Sequence, residues 1–142
     1  MFARIKQGIT FLIPNYTKKD DELMKKYLNN IEQELFFKMS DYDKKHSIKV
    51  LKGVLINLSL GKNKKMIKLA LLHDVGKENI SLFERINYVL FQKSEKLKNH
   101  SKKGYEKLKN INLELANLIL IHHNEKLEDE NMIGFQKIDD EN

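Results

Sequence analysis

The stretch KLALLHDVGKENI, residues 68–80, ends a run of apolar residues with a histidine and a carboxylate. The run predicts a helix that enters the core, from Asn63 to about Asp74, with Gly76 ending it. A buried carboxylate is unfavourable unless it is paired or bound to a metal ion. Neighbouring residues on a helix point about 100° apart, so His73 and Asp74 could approach one ion from adjacent directions. The structural alternative is that Asp74 caps a neighbouring helix while His73 interacts with the C-terminus of its own helix.

The rest of the chain also predicts helices, because one proline and six glycines leave few breaks and no alternating strand pattern is present. We predict an all-α fold, a compact bundle of about six to seven helices. The predicted helices start at Asp20 or Asp21 and reach about Met39, start at Ser40 or Asp41 and end near Gly61, and cover residues 63–74, 81–94, 101–110, 113–123 and 131–140.

Two of these helices carry informative apolar patterns. The helix after Ser40 has an inward stripe formed by Val50, Leu51, Val54, Leu55 and Leu58. The helix over 113–123 is apolar on nearly all sides and should be central in the bundle. We expect residues 1–39 to form a helical extension packed on a core domain of residues 40–142, the two making one structural unit.

The composition limits the chemistry. The chain of 142 residues has no cysteine, which excludes disulfides, thiolate metal sites and cysteine nucleophiles. Any metal must therefore be held by His, Asp or Glu. The 26 Lys and Arg exceed the 20 Asp and Glu, giving a net charge of +6. Because acidic residues are interleaved with the basic ones, this charge favours anionic ligands in general and argues against nucleic-acid binding.

The N-terminal residues contain a short apolar run that resembles part of a signal peptide. Arg4 and Lys6 precede the run from Ile9 to Ile13, which Pro14 ends, and no small-residue cleavage site follows. No stretch approaches the ~20 apolar residues that a membrane-spanning helix needs. We therefore expect a cytoplasmic protein without a membrane partner, and a peripheral membrane role for the amphipathic first turns is the weaker alternative.

The five histidines all fall on predicted core segments. His46 lies over Val50 and Val54 on an inward stripe. His122 and His123 end the apolar helix, and His100 begins another, with Gly104 four residues later leaving space for something to approach. Each histidine alone has an ordinary explanation as a hydrogen-bonded core residue. Four separate segments that place His or Asp at helix ends or inner faces together favour a shared site.

The order of these residues resembles the HD superfamily of metal-dependent phosphohydrolases, and within it the small bacterial HDIG-type domains. The resemblance covers about residues 40–142 and is carried by YDKKHSIKV, LLHDVGK and FQKIDD. It implies one metal ion held by His46, His73, Asp74 and Asp139. It further implies that Asp74 bridges to a second ion held by His100 and His122, with His123 contributing. Lys77 matches a lysine that lies near the substrate phosphate in similar domains.

Some positions depart from parts of the superfamily. The segment after the double histidine, HHNEKLEDENMIGFQ, lacks the Gly-Tyr-Pro element of the cyclic di-GMP phosphodiesterases, which disfavours that branch. Tyr42 stands where some members have a glutamate, so a trimetal centre is not expected. Asp140 is an alternative to Asp139 as the closing ligand.

The implied activity is hydrolysis of a phosphomonoester or phosphodiester, with Asp74 and Lys77 in catalytic roles. Histidine and carboxylate ligands suit one or two divalent ions of Mn, Fe, Ni, Co or Zn. The substrate would be a small phosphorylated molecule, with a nucleotide as the leading candidate. The alternative is a catalytically weak signalling module that binds a nucleotide at the same site, and a third reading is a Lys-rich RNA-binding protein with structural histidines. The sequence leaves the oligomeric state open.

Overall fold

The computed structural model of the protein describes residues 15–77 and 99–142. Over those ranges it has seven α-helices, two single-turn 3-10 helices and no strand, which confirms the prediction of an all-α bundle. The predicted helix over 81–94 and the apolar run from Ile9 to Ile13 lie outside the described residues. The helices are α1 (Lys18–Lys25), α2 (Asn30–Phe37), α3 (Asp41–Ile56), α4 (Lys64–Leu72), α5 (His100–Leu108), α6 (Leu113–Ile121) and α7 (Glu130–Glu141).

The single helix predicted from Asp20 or Asp21 to Met39 is wrong, because the chain forms two helices there. Thr17 precedes α1, and Asp20 belongs to the first turn of that helix. Asn29 starts α2 with a capping box: its side chain accepts from the backbone N–H of Glu32 at 2.9 Å, and the Glu32 carboxylate accepts from the N–H of Asn29 at 3.1 Å. This local pairing satisfies the first N–H groups of a new helix. Apolar periodicity alone does not reveal that one helix ends and a second helix begins.

The two N-terminal helices contact the core. Helix α1 packs on α3 and helix α2 packs on α4. Met24 and Phe36 are fully buried in these contacts. Ion pairs join the same elements, from Lys45 to the buried Asp20 at 3.0 Å and from Lys68 to the buried Glu32 at 2.7 Å. Residues 15–39 therefore pack on the core, while the division of the chain at residue 40 remains a prediction.

Helix α3 begins where the sequence predicts. The Ser40 hydroxyl accepts from the backbone N–H of Asp43 at 3.1 Å, as an N-cap does. His46, Val50 and Val54 are all buried, so the stripe that carries the first histidine faces the core.

The predicted end of α3 near Gly61 is wrong, and so is the inward position of Leu58, which is 95% exposed. The helix ends at Ile56 because Asn57 adopts an extended conformation. The Asn57 side chain then accepts from the N–H groups of Ser59 and Leu60, starting a 3-10 turn over Leu60–Lys62. This turn buries Leu60 instead of Leu58.

Helix α4 forms the centre of the bundle. Asn63 caps it, accepting from the N–H of Lys65 at 3.0 Å, and Leu69 to Leu72 are completely buried. It packs on α3, α6 and α7. The helix ends at Leu72, two residues before the predicted end, so His73 and Asp74 lie in the turn that follows. Gly76 belongs to a second 3-10 helix, Val75–Lys77.

Helices α5 and α6 pack against each other, and α5 also packs closely on the 3-10 helix Val75–Lys77. The space predicted at Gly104 is filled by protein: a Cβ atom there would lie 2.7 Å from a methyl group of Ile119 and 3.7 Å from the backbone nitrogen of Gly76. A Cβ atom on Gly76 would in turn overlap the carbonyl oxygen of His100. The two glycines therefore allow the backbones to touch, and this contact brings His100 towards Asp74.

Helix α6 is buried on one face only. Leu115, Ala116 and Ile119 are buried, but Leu113 is 55% exposed and Leu120 is 40% exposed. The prediction that this helix is central in the bundle, made because it is apolar on nearly all sides, is therefore wrong. Helix α6 has more apolar residues than its single buried face can bury.

Helix α7 closes the bundle against α3 and α4. Asp129 caps it, accepting from the N–H of Met132 at 3.0 Å, and its bounds agree with the predicted 131–140 to one residue at each end. A Cβ atom on Gly53 of α3 would lie only 2.6 Å from a methyl group of Ile138, so α3 and α7 approach closely. This approach places Asp139 beside His46. No α-helix among residues 15–77 and 99–142 is long and apolar enough to traverse a bilayer.

Candidate metal centre

Seven side chains that the sequence predicts as ligands meet in two adjacent groups. In each group one possible ligand atom per residue lies within 4.8 Å of all the others. The first group comprises His46, His73 and Asp139. The second group comprises Asp74, His100, His122 and His123. The structure thus brings all seven residues together.

The first group draws on three helices. His46 comes from the inner stripe of α3, His73 directly follows α4, and Asp139 comes from the last turn of α7. Asp139 Oδ1 lies 2.8 Å from His46 Nε2 and 3.2 Å from His73 Nε2. Asp139 is buried whereas Asp140 is exposed, so Asp139 is the member of the pair that reaches the site.

Asp74 lies between the two groups. Its Oδ2 atom is 3.4 Å from His73 Nε2 and 3.9 Å from His46 Nε2, on the side of the first group. Its Oδ1 atom is 3.3 Å from His100 Nε2, on the side of the second group. One fully buried carboxylate therefore presents a different oxygen to each group.

The second group is a chain of imidazole rings. The ring of His122 is centred 5.4 Å from that of His100 and 4.0 Å from that of His123. His122 is completely buried and His123 is exposed, so the group runs from the interior to the surface.

Two histidines have their ring orientation fixed by the backbone. His73 Nδ1 donates to the carbonyl of Ala70 at 3.0 Å, and His122 Nδ1 donates to that of Ile119 at 2.5 Å. Each Nε2 atom is thereby turned into the site, the arrangement typical of metal-binding histidines. The Nε2 atom of His122 is buried and has no hydrogen-bond partner among the described residues. A buried, unpartnered acceptor among carboxylates and imidazoles fits a divalent cation.

The protonation states follow from burial and the two carboxylates. Burial lowers the pKa of His73, but the charges of Asp74 and Asp139 outweigh it and raise this pKa to about 9. Burial and the neighbouring imidazoles hold the pKa of His122 well below its usual value and lower that of His123 to about 4. Both rings are therefore neutral at pH 7, as ligand histidines must be.

The carboxylates remain ionised despite their burial. Burial would raise the pKa of Asp74, but His73 and Lys77 hold it well below the usual value. The pKa of Asp139 is likewise lowered against burial, by His73 and by a hydrogen bond from His46. Asp74 and Asp139 are thus two buried anions, and the rings of His122 and His123 beside them are neutral, which favours a cation at the second group. A cation bound by His73 would have to displace the proton that this ring holds at pH 7.

Lys77 lies at the edge of the site. Its Nζ atom is 3.1 Å from Asp74 Oδ2, and its side chain is largely buried. The predicted lysine therefore contacts the carboxylate that lies between the two groups.

Two further side chains of α7 lie at the site and were not predicted from the sequence. The ring of Phe135 packs edge-on against His73, with ring centres 5.5 Å apart. The amide of Gln136 donates to the carbonyl oxygens of His122 and Asn124 at 3.2 and 2.8 Å. They precede Asp139 by four and three residues, so both lie near the same face of the helix. This spacing identifies them as neighbours of the site only after Asp139 has been recognised as a site residue.

The comparisons with known proteins agree with this geometry. The family model described as HD domain matches residues 44–138, about two thirds of the chain. The chain therefore belongs to the HD domain family, a superfamily of metal-dependent phosphohydrolases. Neither the curated proteins nor the solved structures compared with the chain gave a match.

Proposed function

We propose that this protein is a metal-dependent phosphohydrolase that uses a dinuclear centre to hydrolyse a nucleotide or a similar small phosphoester. The observation that carries the proposal is the placement of Asp74, whose two oxygens face two separate groups of ligand-type side chains. A carboxylate in this position suits a bridge between two cations. The unpartnered Nε2 of His122 supports the second cation position.

The residues have distinct proposed roles. His46, His73 and Asp139 hold one ion, His100, His122 and His123 hold the other, and Asp74 serves both. When bound, such ions lower the pKa of water and stabilise charge on phosphoryl oxygens. Lys77 contributes a positive charge next to Asp74, and a lysine interacts with a phosphate as a point charge.

The access to the centre supports a small substrate. Six of the seven proposed ligand residues are buried and His123 is exposed, so the side of His123 is where solvent reaches the second group. The backbones of Gly76 and His100 are in close contact, so a substrate does not enter between them. The excess of basic residues favours an anionic substrate.

The site residues and the composition also suggest a domain subtype and a cellular compartment for the protein. The His73-Asp74 segment and the double histidine support an HDIG-type domain of about residues 40–142. The absence of cysteine fits a reducing compartment such as the bacterial cytoplasm.

The experiment measures phosphate release and metal content together. Apoprotein is reconstituted with Mn²⁺ or Fe²⁺ and incubated with a panel of nucleotides and model phosphoesters, and the bound metal is counted by elemental analysis. We expect the parent to bind two ions and to hydrolyse at least one substrate. The Asp74→Ala variant should lose metal and activity together, because one residue serves both ions.

A matched pair of variants tests the closing ligand. Asp139→Asn should reduce the affinity for metal, whereas Asp140→Asn should bind metal as the parent does, because only Asp139 faces the site. Full activity in Asp74→Ala would contradict the proposal. A nucleotide that raises the melting temperature of the metal-loaded parent but is never hydrolysed would instead support the ligand-binding signalling module.

A further inference from the structure

Gln136 links the two halves of the candidate metal centre. It lies on α7, one turn before Asp139, and its amide nitrogen donates to the carbonyl oxygens of His122 and Asn124. We call residues 122–124 the histidine corner. The corner follows the last residue of α6, and the chain does not become helical again until Glu130.

The histidine corner has limited support from its own helix. The N–H of His122 bonds to Ile119 at a long 3.4 Å, and the N–H of Asn124 bonds to Ile121 at 2.9 Å. The last carbonyl groups of a helix lack partners within that helix and need donors from elsewhere. One side-chain amide from α7 supplies a donor to two carbonyl oxygens of the corner.

The same helix also orders the first group. Asp139 contacts His46 and His73, and Phe135 packs against the ring of His73. Helix α7 therefore holds the first group through its carboxylate and aromatic side chains, and the second group through Gln136. Helix α7 thus contributes to the placement of both groups, beside the contact of Gly76 with α5 that places His100.

We propose that Gln136 is a positioning residue that sets the place of His122 and His123 relative to Asp74, and so controls occupancy of the second cation position. This inference rests on the proposed dinuclear centre. Gln136 contributes no ligand atom; it acts through the backbone of the histidine corner. Its removal should therefore weaken the second ion selectively and leave the ion of His46, His73 and Asp139 in place.

Loss of residues that orient ligand histidines typically weakens metal binding by 10–100-fold. Two hydrogen bonds to one corner are lost here, so we expect about a 10-fold or greater weakening at the second position. The first position should bind as tightly as in the parent, because both hydrogen bonds of Gln136 go to the histidine corner and neither goes to His46, His73 or Asp139.

The test uses variants that differ in their capacity to donate. Gln136→Met keeps the length of the side chain without a donor, and Gln136→Glu keeps its shape but presents only acceptors to the two carbonyl oxygens. Gln33→Met is the matched control, because the Gln33 amide also donates to a backbone carbonyl, that of Leu28 at 2.7 Å, on a helix with no candidate ligand. Circular dichroism of the chelated proteins establishes that each variant folds, and the two Gln136 variants substitute for each other if one does not.

Mn²⁺ titration calorimetry and electron paramagnetic resonance provide the measurements. We expect two ions and a spin-coupled pair in the parent and in Gln33→Met. We expect one tight ion, a weak second ion and an uncoupled signal in both Gln136 variants at low Mn²⁺. Equal weakening of both ions, or parent-like binding of both, would overturn the role of Gln136. A parent that binds no metal would instead overturn the proposed function, and this inference with it.

Discussion

The close contact between Gly76 and α5 predicts that Gly76→Ala destabilises the protein and weakens metal binding. In Gly76→Ala the added Cβ would overlap the carbonyl oxygen of His100 and lie 2.7 Å from the nitrogen of Gly104. An ordinary contact begins at 3.4 Å, so the Gly104 nitrogen alone requires α5 to move by about 0.7 Å, and the carbonyl oxygen requires more. Both obstacles are backbone atoms, which cannot rotate away as a side chain can.

The shift has an energetic and a functional consequence. Overpacking of this kind costs about 1–3 kcal/mol, and the rigid backbone places this case near 3 kcal/mol. For a chain of this size that lowers the melting temperature by about 6–12 °C. His100 begins α5, so its Nε2 atom should also move away from Asp74 Oδ1, now 3.3 Å distant. Binding at the second cation position should weaken as a result.

Thermal unfolding of the chelated protein, followed by circular dichroism, tests the first consequence, and Mn²⁺ titration tests the second. Gly134→Ala is the control, because its Cβ would meet only a Leu60 methyl group at 3.5 Å. Alanine inside a helix is favoured over glycine by about 1 kcal/mol, so this variant should be slightly more stable than the parent. If Gly76→Ala melts at the parent temperature and binds metal normally, the close-contact argument is refuted.

Two further variants test the N-terminal helices by urea unfolding. Lys45→Met removes the ion-pair partner of the buried Asp20 carboxylate. Burial raises the pKa of this carboxyl, but hydrogen bonds from Lys45 and from the backbone N–H of Thr17 lower it below the usual value. The ion pair therefore stabilises the protein at pH values above the unfolded pKa of about 3.9, and this stabilisation is lost as the pH falls through the lower folded pKa. The variant should be less stable than the parent at pH 7, and the difference in unfolding free energy should shrink below about pH 4. A difference that stays constant with pH would contradict this. Asn29→Ala removes the α2 cap and should lower the free energy of unfolding by about 1 kcal/mol without changing metal binding, and an unchanged free energy would show that Glu32 and Lys68 hold the helix start alone.

The sequence predicted the helical class because that class depends on strong local signals, and the resemblance to the HD superfamily implied which side chains would lie together. Their role as ligands remains a prediction. Apolar periodicity identified α3 and α4, and the residue types of His73 and Asp74 at a buried helix end pointed to a shared site. The HD domain match then agreed with the family that those residues resemble.

The errors came from hydrogen bonds that compete with periodicity. Asn29 restarts a helix within an apolar pattern that continues, and Asn57 ends α3 before Leu58. Both residues cap a following turn through their side chains, and local side-chain bonds of this kind displace a helix that the apolar pattern would extend. The exposed leucines of α6 show a second limit of the apolar pattern: an apolar residue on a helix is not necessarily buried.

Gln136 and Gly76 could not be assigned from the sequence for a different reason. Each acts on a residue far along the chain, Gly76 on His100 and Gln136 on His122, and neither type is chemically conspicuous. Their effects depend on how helices meet in three dimensions, which periodicity does not encode.

The contact between His46 and Asp139 joins residues 93 positions apart, and this separation bears on how the protein matures. During synthesis His46, His73 and Asp74 leave the ribosome well before α7 is made. Before α7 is synthesised, the nascent chain lacks Asp139, Phe135 and Gln136. His46, His73 and Asp74 therefore have no contacts with α7 during this period. Metal acquisition should therefore be a late event, coupled to the docking of α7 rather than to the formation of α3 and α4.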